Sequence, residues 1–412
     1  MDLAELSTYF QQKRLEFPIL ERTVHAKPFV YLDTAATSLK PRSVISSLQH
    51  FYEQEYATIH RSVYLTAVEA EHKYHIVRQR LADYLSASRP EEIIFCRGTT
   101  EAINLVANSF GKRFVDKGDS ILVSAMEHHS NLVPWQILCE ERGAHLKFAP
   151  IDDQGNLNFE ALEALLAQGP KIFSICHISN VLGTINPLKK IIKIAKKYGT
   201  KVFVDGAQAP AHLRIDLEDL GADFYAFSAH KLYGPTGLGF LYGKHELLEE
   251  MPPYQGGGDM IQSVEYEKSS FAAPPLKFEA GTPMIAQVIA FGAVLDLIES
   301  LDYQALGFYE NSLLQSLEEG LSEIPSLSIL GQSKAKAPIV TFKVEGVHSL
   351  DIASMLDLKG IAIRSGHHCA QPLLKLFNCS TAARVSIGMY NTEEEIAFFL
   401  KSLKEVLSVL SK

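Results

Sequence analysis

Lys201-Val202-Phe203-Val204-Asp205-Gly206-Ala207-Gln208 and Phe224-Tyr225-Ala226-Phe227-Ser228-Ala229-His230-Lys231 decide the fold of this chain. Each opens with a strand-like apolar run and closes on polar groups. In an α/β sheet, side chains just past strand ends line the ligand crevice. The first stretch brings a carboxylate and an amide, Asp205 and Gln208. The second brings a hydroxyl, an imidazole and an amine: Ser228, His230 and Lys231.

The same strand-then-helix pattern recurs on either side. Glu92–Cys96 reads as a strand leading through Gly98-Thr99-Thr100-Glu101 into an apolar-periodic helix that reaches about Phe110. Ser120–Ser124 is a strand followed by His128 and His129, and Ile172–Cys176 is one followed by His177 to Asn180. Together these predict a mainly parallel sheet covered by helices. Gly237–Tyr242 reads as a further strand, 252–283 as irregular, and Met284–Leu301 as a long apolar helix. An irregular segment that long is more often functional than filler.

After about residue 303, helices alternate with short strands at Ile339–Val344, Ile361–Arg364 and Val385–Gly388, as in a smaller α+β domain. Thr392 and Glu395 make a capping box for a last helix with an apolar stripe from Ile396 to Leu410. Residues 1–17 read as an amphipathic helix stopped by Pro18. The expected division is a large domain over 25–295 and a small α+β domain over 296–412, with 1–24 packing on the latter.

Bulk composition narrows the function. The chain has 412 residues, 47% of them hydrophobic, with 21% charged and a net charge of −9. That is a globular composition with ample core, and its acidic balance argues against nucleic-acid binding. The five cysteines are scattered and odd in number, which points to a reducing compartment rather than a disulfide scaffold. Acidic residues interrupt the apolar ones at the N-terminus, and no uncharged apolar run is long enough to span a membrane. A cytoplasmic protein without membrane contact is expected.

The polar groups at the strand ends suit pyridoxal phosphate. Aldehyde capture needs a neutral amine, and Lys231, following four apolar residues, sits where burial favours that form. A lysine beside a strand end is otherwise a solvated charge. Asp205 can keep a pyridinium nitrogen protonated, so that the ring accepts electrons from a substrate carbanion; alone it is also a loop cap. Gln208 can donate to the ring hydroxyl or serve as a plain loop amide. Thr100 opens a helix, where free N–H groups and the dipole favour phosphate, with Ser228 and His230 completing the cup. His128 can stack on a flat ring or move protons. Gly234-Pro235-Thr236-Gly237-Leu238-Gly239 is not a dinucleotide fingerprint, because its spacing differs and a strand follows it.

Arg364-Ser365-Gly366-His367-His368-Cys369 is the second chemical clue. A cysteine on a glycine-containing loop, near an arginine and two histidines, is a candidate nucleophile. The alternatives are a structural loop and a zinc site completed by His128 or His129. Zinc ligands are usually spaced, and three adjacent ones rarely share a face, so no metal is expected. Cys96, Cys139 and Cys176 fall in apolar runs and read as core; Cys379 reads as packing or as a resolving thiol.

In order along the chain, Gly98–Glu101, Glu127–Asn131, His177–Thr184, Asp205–Gln208, Ser228–Pro235 and Arg364–Pro372 resemble the type II, SUF-system (SufS-like) cysteine desulfurases and selenocysteine lyases. These belong to the pyridoxal phosphate-dependent class V aminotransferase superfamily. The resemblance runs from Tyr31 to Thr392 and implies fold type I: a seven-stranded sheet domain with a smaller C-terminal one. It implies that Lys231 binds the cofactor aldehyde and moves protons at Cα, and that Asp205 pairs with the pyridinium. It assigns His128 to stacking, Gln208 to the ring hydroxyl, and Thr100, Ser228 and His230 to the phosphate. Thr282 would reach the phosphate of a neighbouring subunit, hence a homodimer. Asn180, Arg364 and Arg384 would bind substrate, with Arg384 forking its carboxylate. Cys369 would take sulfur from L-cysteine as a persulfide, leaving L-alanine, and pass it to an acceptor of SufE or SufU type for iron–sulfur cluster assembly. Activity on L-selenocysteine is a common companion. Ala229, Thr34 and Met284 depart from the family pattern without removing a reacting group.

Overall fold

The structure is a computed structural model that describes residues 2–410. Its large sheet has seven strands. They are β1 (Ile93–Cys96), β2 (Ser120–Ser124), β3 (His145–Ala149), β4 (Ile172–Cys176), β5 (Lys201–Asp205), β6 (Phe224–Ser228) and β7 (Gly239–Gly243). Their order across the sheet is β1-β7-β6-β5-β4-β2-β3. Pairing is parallel except at β7, which runs antiparallel to both β1 and β6. The runs of Val, Ile and Phe in these strands are those of a sheet covered on both faces: β1, β2, β4, β6 and β7 are buried at every residue.

A second sheet holds β8 (Leu327–Leu330), β9 (Ile339–Val344), β10 (Arg364–Gly366) and β11 (Ala382–Ser386), in the order β8-β9-β11-β10, all antiparallel. The predicted strand over Ile361–Arg364 divides in two. Ile361–Ala362 pairs in parallel with Val30–Tyr31, and the chain then turns into β10. Both pairings lead into the active-site loops described below. One apolar core runs through both sheets, from Leu122 and Val204 to Ile339 and Val385. A smaller one, around Trp135, Phe203 and Phe224, fills the other face of the large sheet.

The N-terminal helix is shorter than its amphipathic pattern, spanning Leu3–Arg14 with Asp2 and Glu5 as its capping box. Phe10 stacks on Tyr309 of helix Tyr303–Ser322, and Arg14 pairs with Glu395 at 2.7 Å. The Thr392–Glu395 box forms as read, each backbone N–H donating to the other side chain at 3.3 Å. The segment 252–283 is not wholly irregular: Ile261–Val264 and Ser269–Phe271 form a hairpin within it. The long apolar helix spans Ile285–Glu299 and packs on helices Arg42–His50 and Leu65–Tyr84.

Candidate active site

Asp205 and Ser228 are the last residues of the parallel neighbours β5 and β6, so their side chains meet at one sheet edge. Gly239 begins β7 at the same edge, paired with both Ser228 and Cys96. A Cβ on Gly239 would sit 2.3 Å from the Gly98 Cα, so only glycine lets this strand approach the turn. That approach brings the start of helix Thr99–Val106 onto Ser228, whose Oγ accepts from the Thr99 N–H at 2.8 Å. Thr100 Oγ1 and Ser130 Oγ are 2.7 Å apart. The helix start, with N–H groups lacking intrahelical partners, faces three hydroxyl-bearing side chains: an anion cradle.

Every expected site residue except Thr282 lines one cavity of about 300 Å³: Thr100, His128, Asn180, Asp205, Gln208, Ser228, His230, Lys231, Arg364, Cys369 and Arg384. Lys231 ends the short turn Ala229–Lys231 after β6. Burial lowers its amine from 10.5 to about 8, with the Asp205 charge opposing that shift and the Arg384 charge adding to it. Burial raises the Asp205 carboxyl, against the Ala207 N–H that donates to it at 2.9 Å and the charge of Lys231. The residue after Asp205 must be glycine, because a Cβ on Gly206 would overlap the Tyr225 ring at 2.1 Å.

Burial and the charge of Lys231 push His128 down to about 3, so its ring is neutral. Its Nδ1 accepts from the Ser130 N–H at 3.0 Å, which leaves the proton on Nε2. A neutral, fixed imidazole is suited to stacking. Burial and the Lys231 charge likewise take His230 down to about 4. Gln208 Nε2 donates to the Ala35 carbonyl at 2.7 Å.

The two arginines share one carboxylate that the sequence reading did not single out. Arg364 donates to Asp33 through Nε at 3.1 Å and NH2 at 2.9 Å, and Arg384 NH2 donates to it at 3.1 Å. Arg384 NH1 also donates to the Asn180 carbonyl at 3.0 Å, and its buried Nε has no partner among the described residues. No local pattern marked Asp33, because its role depends on β10 and β11 arriving from more than 300 residues away. Glu127 was not singled out either: buried, it accepts from its near neighbour Asn131 Nδ2 at 2.6 Å and, across to β4, from the Cys176 N–H at 3.0 Å.

Cys369 is exposed, and both it and His368 have left-handed backbones, with φ of +53° and +50°. Such paired strain in non-glycine residues persists only where neighbours hold it. Here the His129 N–H donates to the Cys369 carbonyl at 2.6 Å, and Asn180 Nδ2 donates to that of His368 at 2.8 Å. Two imidazoles near the thiol are engaged with backbone groups. His368 Nε2 lies 2.9 Å from the Ala382 carbonyl, and His129 Nε2 accepts from the Gln371 N–H at 3.0 Å. Cys96, Cys139 and Cys176 are buried, and Cys379 Sγ donates to the Thr381 carbonyl at 2.8 Å.

Thr282 stands apart, in a neighbouring cavity that it shares with Arg97, Glu101 and Tyr254. Of the departures from the family pattern, Thr34 bonds the Tyr390 hydroxyl at 2.8 Å and Ala229 is fully buried in the Lys231 turn. The donor set fits pyridoxal phosphate. A lowered lysine amine, a buried carboxylate with one backbone donor, and a hydroxyl-lined helix start surround one small-molecule-sized cavity.

A family model described as aminotransferase class-V matches residues 30–399. The chain belongs to the aminotransferase class-V family. This class-V chain is 44% identical over 406 residues to a cysteine desulfurase of Serratia proteamaculans, covering 98% of itself and 100% of that protein. It is 45% identical over 401 residues to a probable cysteine desulfurase of Synechocystis sp., covering 97% and 96% of the two chains. Among solved structures it is similar to the S-sulfonic acid form of the cysteine desulfurase CsdA from Escherichia coli. That match has a TM-score of 0.90 and 36% identity, and covers 99% of each chain. The class-V fold, with its mostly parallel seven-stranded sheet, is the α/β fold expected from the sequence.

Proposed function

We propose that this protein is a pyridoxal phosphate-dependent cysteine desulfurase that moves the sulfur of L-cysteine onto Cys369, releases L-alanine, and supplies sulfur for iron–sulfur cluster assembly. One observation carries the reading: an exposed cysteine, held on a strained turn, lines the same cavity as a lysine whose amine is lowered to about 8.

Bound in this cavity, pyridoxal phosphate supplies an electron sink for the substrate Cα. Lys231 would hold it through its amine and, when that amine is free, would carry a proton at the substrate Cα. Asp205 would accept from the ring nitrogen, His128 would stack on the ring and Gln208 would meet its hydroxyl. Thr100, Ser228 and His230 would hold the phosphate. Arg384 and Arg364 grip the substrate carboxylate beside Asn180. Cys369 Sγ then attacks the substrate sulfur; the Cβ–S bond breaks, its electron pair stays on carbon, and protonation yields the alanine methyl group. The sulfur remains as a Cys369 persulfide.

The proposal extends to a homodimer in which Thr282 completes the phosphate site of the other subunit. Its support is the position of Thr282 outside its own active-site cavity, and an exposed apolar run that includes Val63 (94% exposed) and Leu65 (71%). No helix among the described residues is long and apolar enough to cross a membrane. We place the protein in the cytoplasm, with a SufE- or SufU-type protein as its acceptor and L-selenocysteine as a second substrate.

The test is to incubate the yellow holoprotein with L-cysteine and quantify alanine and Cys369 persulfide by mass spectrometry. Equal amounts of both in a first turnover are expected; alanine without persulfide would overturn the assignment of Cys369.

A further inference from the structure

A second cavity, of about 840 Å³, shares no lining residue with the active site. His60, Glu71 and His75 line it, with one ligand atom from each lying within 4.8 Å of the others. Glu71 and His75 are one turn apart on helix Leu65–Tyr84, a spacing that sets both side chains on one face. His60 reaches them from the preceding segment, with φ at +76°, an uncommon backbone for a residue other than glycine.

Both imidazoles lie within ion-pair distance of Glu71, at separations that also fit ligands around one shared cation. His60 Nδ1 is 3.5 Å from Glu71 Oε1, and His75 Nε2 is 3.8 Å from the same oxygen. Charge-assisted hydrogen bonds run at about 2.7–2.9 Å, so these groups face one another without bonding. Ligands held tetrahedrally at zinc, with bonds of about 2.0–2.1 Å, stand about 3.4 Å apart. Among the described residues neither imidazole finds another side-chain acid within ion-pair distance.

Most of the surrounding cations are paired with acids. Arg78, in the same cavity, makes two hydrogen bonds to Glu279, at 2.7 and 2.8 Å, although its charge still reaches His75, whose pKa is lowered by burial and then by Arg78. Arg61 is 3.4 Å from Asp259, and Lys73 on the same helix pairs with Glu55. Two imidazoles and a carboxylate form the three-ligand set that late first-row divalent cations take, with a further position open to water.

We propose that His60, Glu71 and His75 bind one divalent transition cation of the zinc class, which ties the segment before the helix to its second and third turns. The site is separate from the desulfurase chemistry and does not rest on that reading.

Zn(II) is titrated calorimetrically into the pyridoxal phosphate-loaded protein carrying Cys369→Ala, which removes the exposed active-site thiol as a competing ligand. One zinc per chain is expected, with affinity at least tenfold weaker when His75→Ala or Glu71→Gln is added. His75 is 54% exposed along its side chain, so its replacement leaves the fold intact, and circular dichroism with cofactor colour checks this. In the background with Cys369 intact, both substitutions should leave desulfurase turnover unchanged. No zinc uptake, or unchanged affinity in either variant, overturns the proposal.

Discussion

Arg384 NH2 donates to the Asp33 carboxylate at 3.1 Å, in the wall of the active-site cavity. Asp33 also holds Arg364, so one internal acid orients both of the guanidinium groups proposed to receive the substrate carboxylate. Burial drags the Arg384 pKa down and Asp33 opposes it, which keeps a cation in place at low solvent exposure.

Arg384→Lys should therefore damage substrate binding more than it damages folding. Lysine keeps the charge but cannot present two parallel donors to a carboxylate. A hydrogen bond to a charged group contributes about 1.5–3 kcal/mol, so KM for L-cysteine should rise about 10- to 100-fold. Arg364 still pairs with Asp33, so the thermal midpoint should move little. Steady-state kinetics with a thermal melt separates the two effects; a collapsed melt with unchanged KM would contradict this account.

The lowered amine of Lys231 sets a pH dependence. Its folded value of about 8 lies below the ordinary 10.5, so the unfolded chain binds this proton more tightly than the folded one. Below about pH 8 the group opposes folding in full, and that opposition fades as pH climbs from about 8 to 10.5. Capture of the aldehyde needs the neutral amine. Cofactor uptake by apoprotein should quicken as pH rises through about 8 and level off above it. Stopped-flow absorbance measures this, and Lys231→Ala should take up no covalent cofactor at any pH.

The strands that carry the site were legible because burial on both faces made them continuous apolar runs. Ser120–Ser124 and Ile172–Cys176 coincide with the strands found. β3 was not read, because it lies at the sheet edge and interleaves the polar His145 and Lys147 with Leu146 and an exposed Phe148, so no continuous apolar run marks it. The antiparallel direction of β7 was hidden for another reason: Gly237–Tyr242 looks the same in either orientation. Lys231, Asp205 and Cys369, which the fold brings to one cavity, stood out in the sequence because each is set in a distinctive stretch of a few residues. Asp33 acts through arginines more than 300 residues away, and Glu127 joins its near neighbour Asn131 to Cys176 on β4, a link that exists only once β2 and β4 pair.

Cys369→Ala should keep the cofactor colour and lose turnover of L-cysteine, since Lys231 and Asp205 are untouched while the sulfur has no acceptor. Activity on L-selenocysteine should persist, because a selenol ionises more readily and leaves with less help. Assaying both substrates on one preparation provides the check. Equal loss on both would mean that the thiol also positions substrate.

Gly239→Ala tests the closest backbone approach at the site. The added methyl would lie 2.3 Å from the Gly98 Cα, 2.7 Å from its N and 2.8 Å from its carbonyl carbon, all backbone atoms that cannot swing away. Relief requires β7 and the Gly98 turn to part, which pulls the start of helix Thr99–Val106 off Ser228 and breaks the 2.8 Å bond from the Thr99 N–H. Overpacking of this kind costs about 1–3 kcal/mol. The strain falls on the anion cradle, so cofactor retention should suffer first: about a tenfold or greater loss of pyridoxal phosphate affinity. Lys231 and Cys369 should keep their reactivity when excess cofactor is supplied. Gly237→Ala, two residues earlier, meets no atom within 4 Å but has φ of +75°. It should lower stability through its backbone alone and leave cofactor affinity unchanged. Equilibrium dialysis of both variants against pyridoxal phosphate distinguishes the close approach from general strand damage, and equal cofactor loss in the two would refute the cradle geometry.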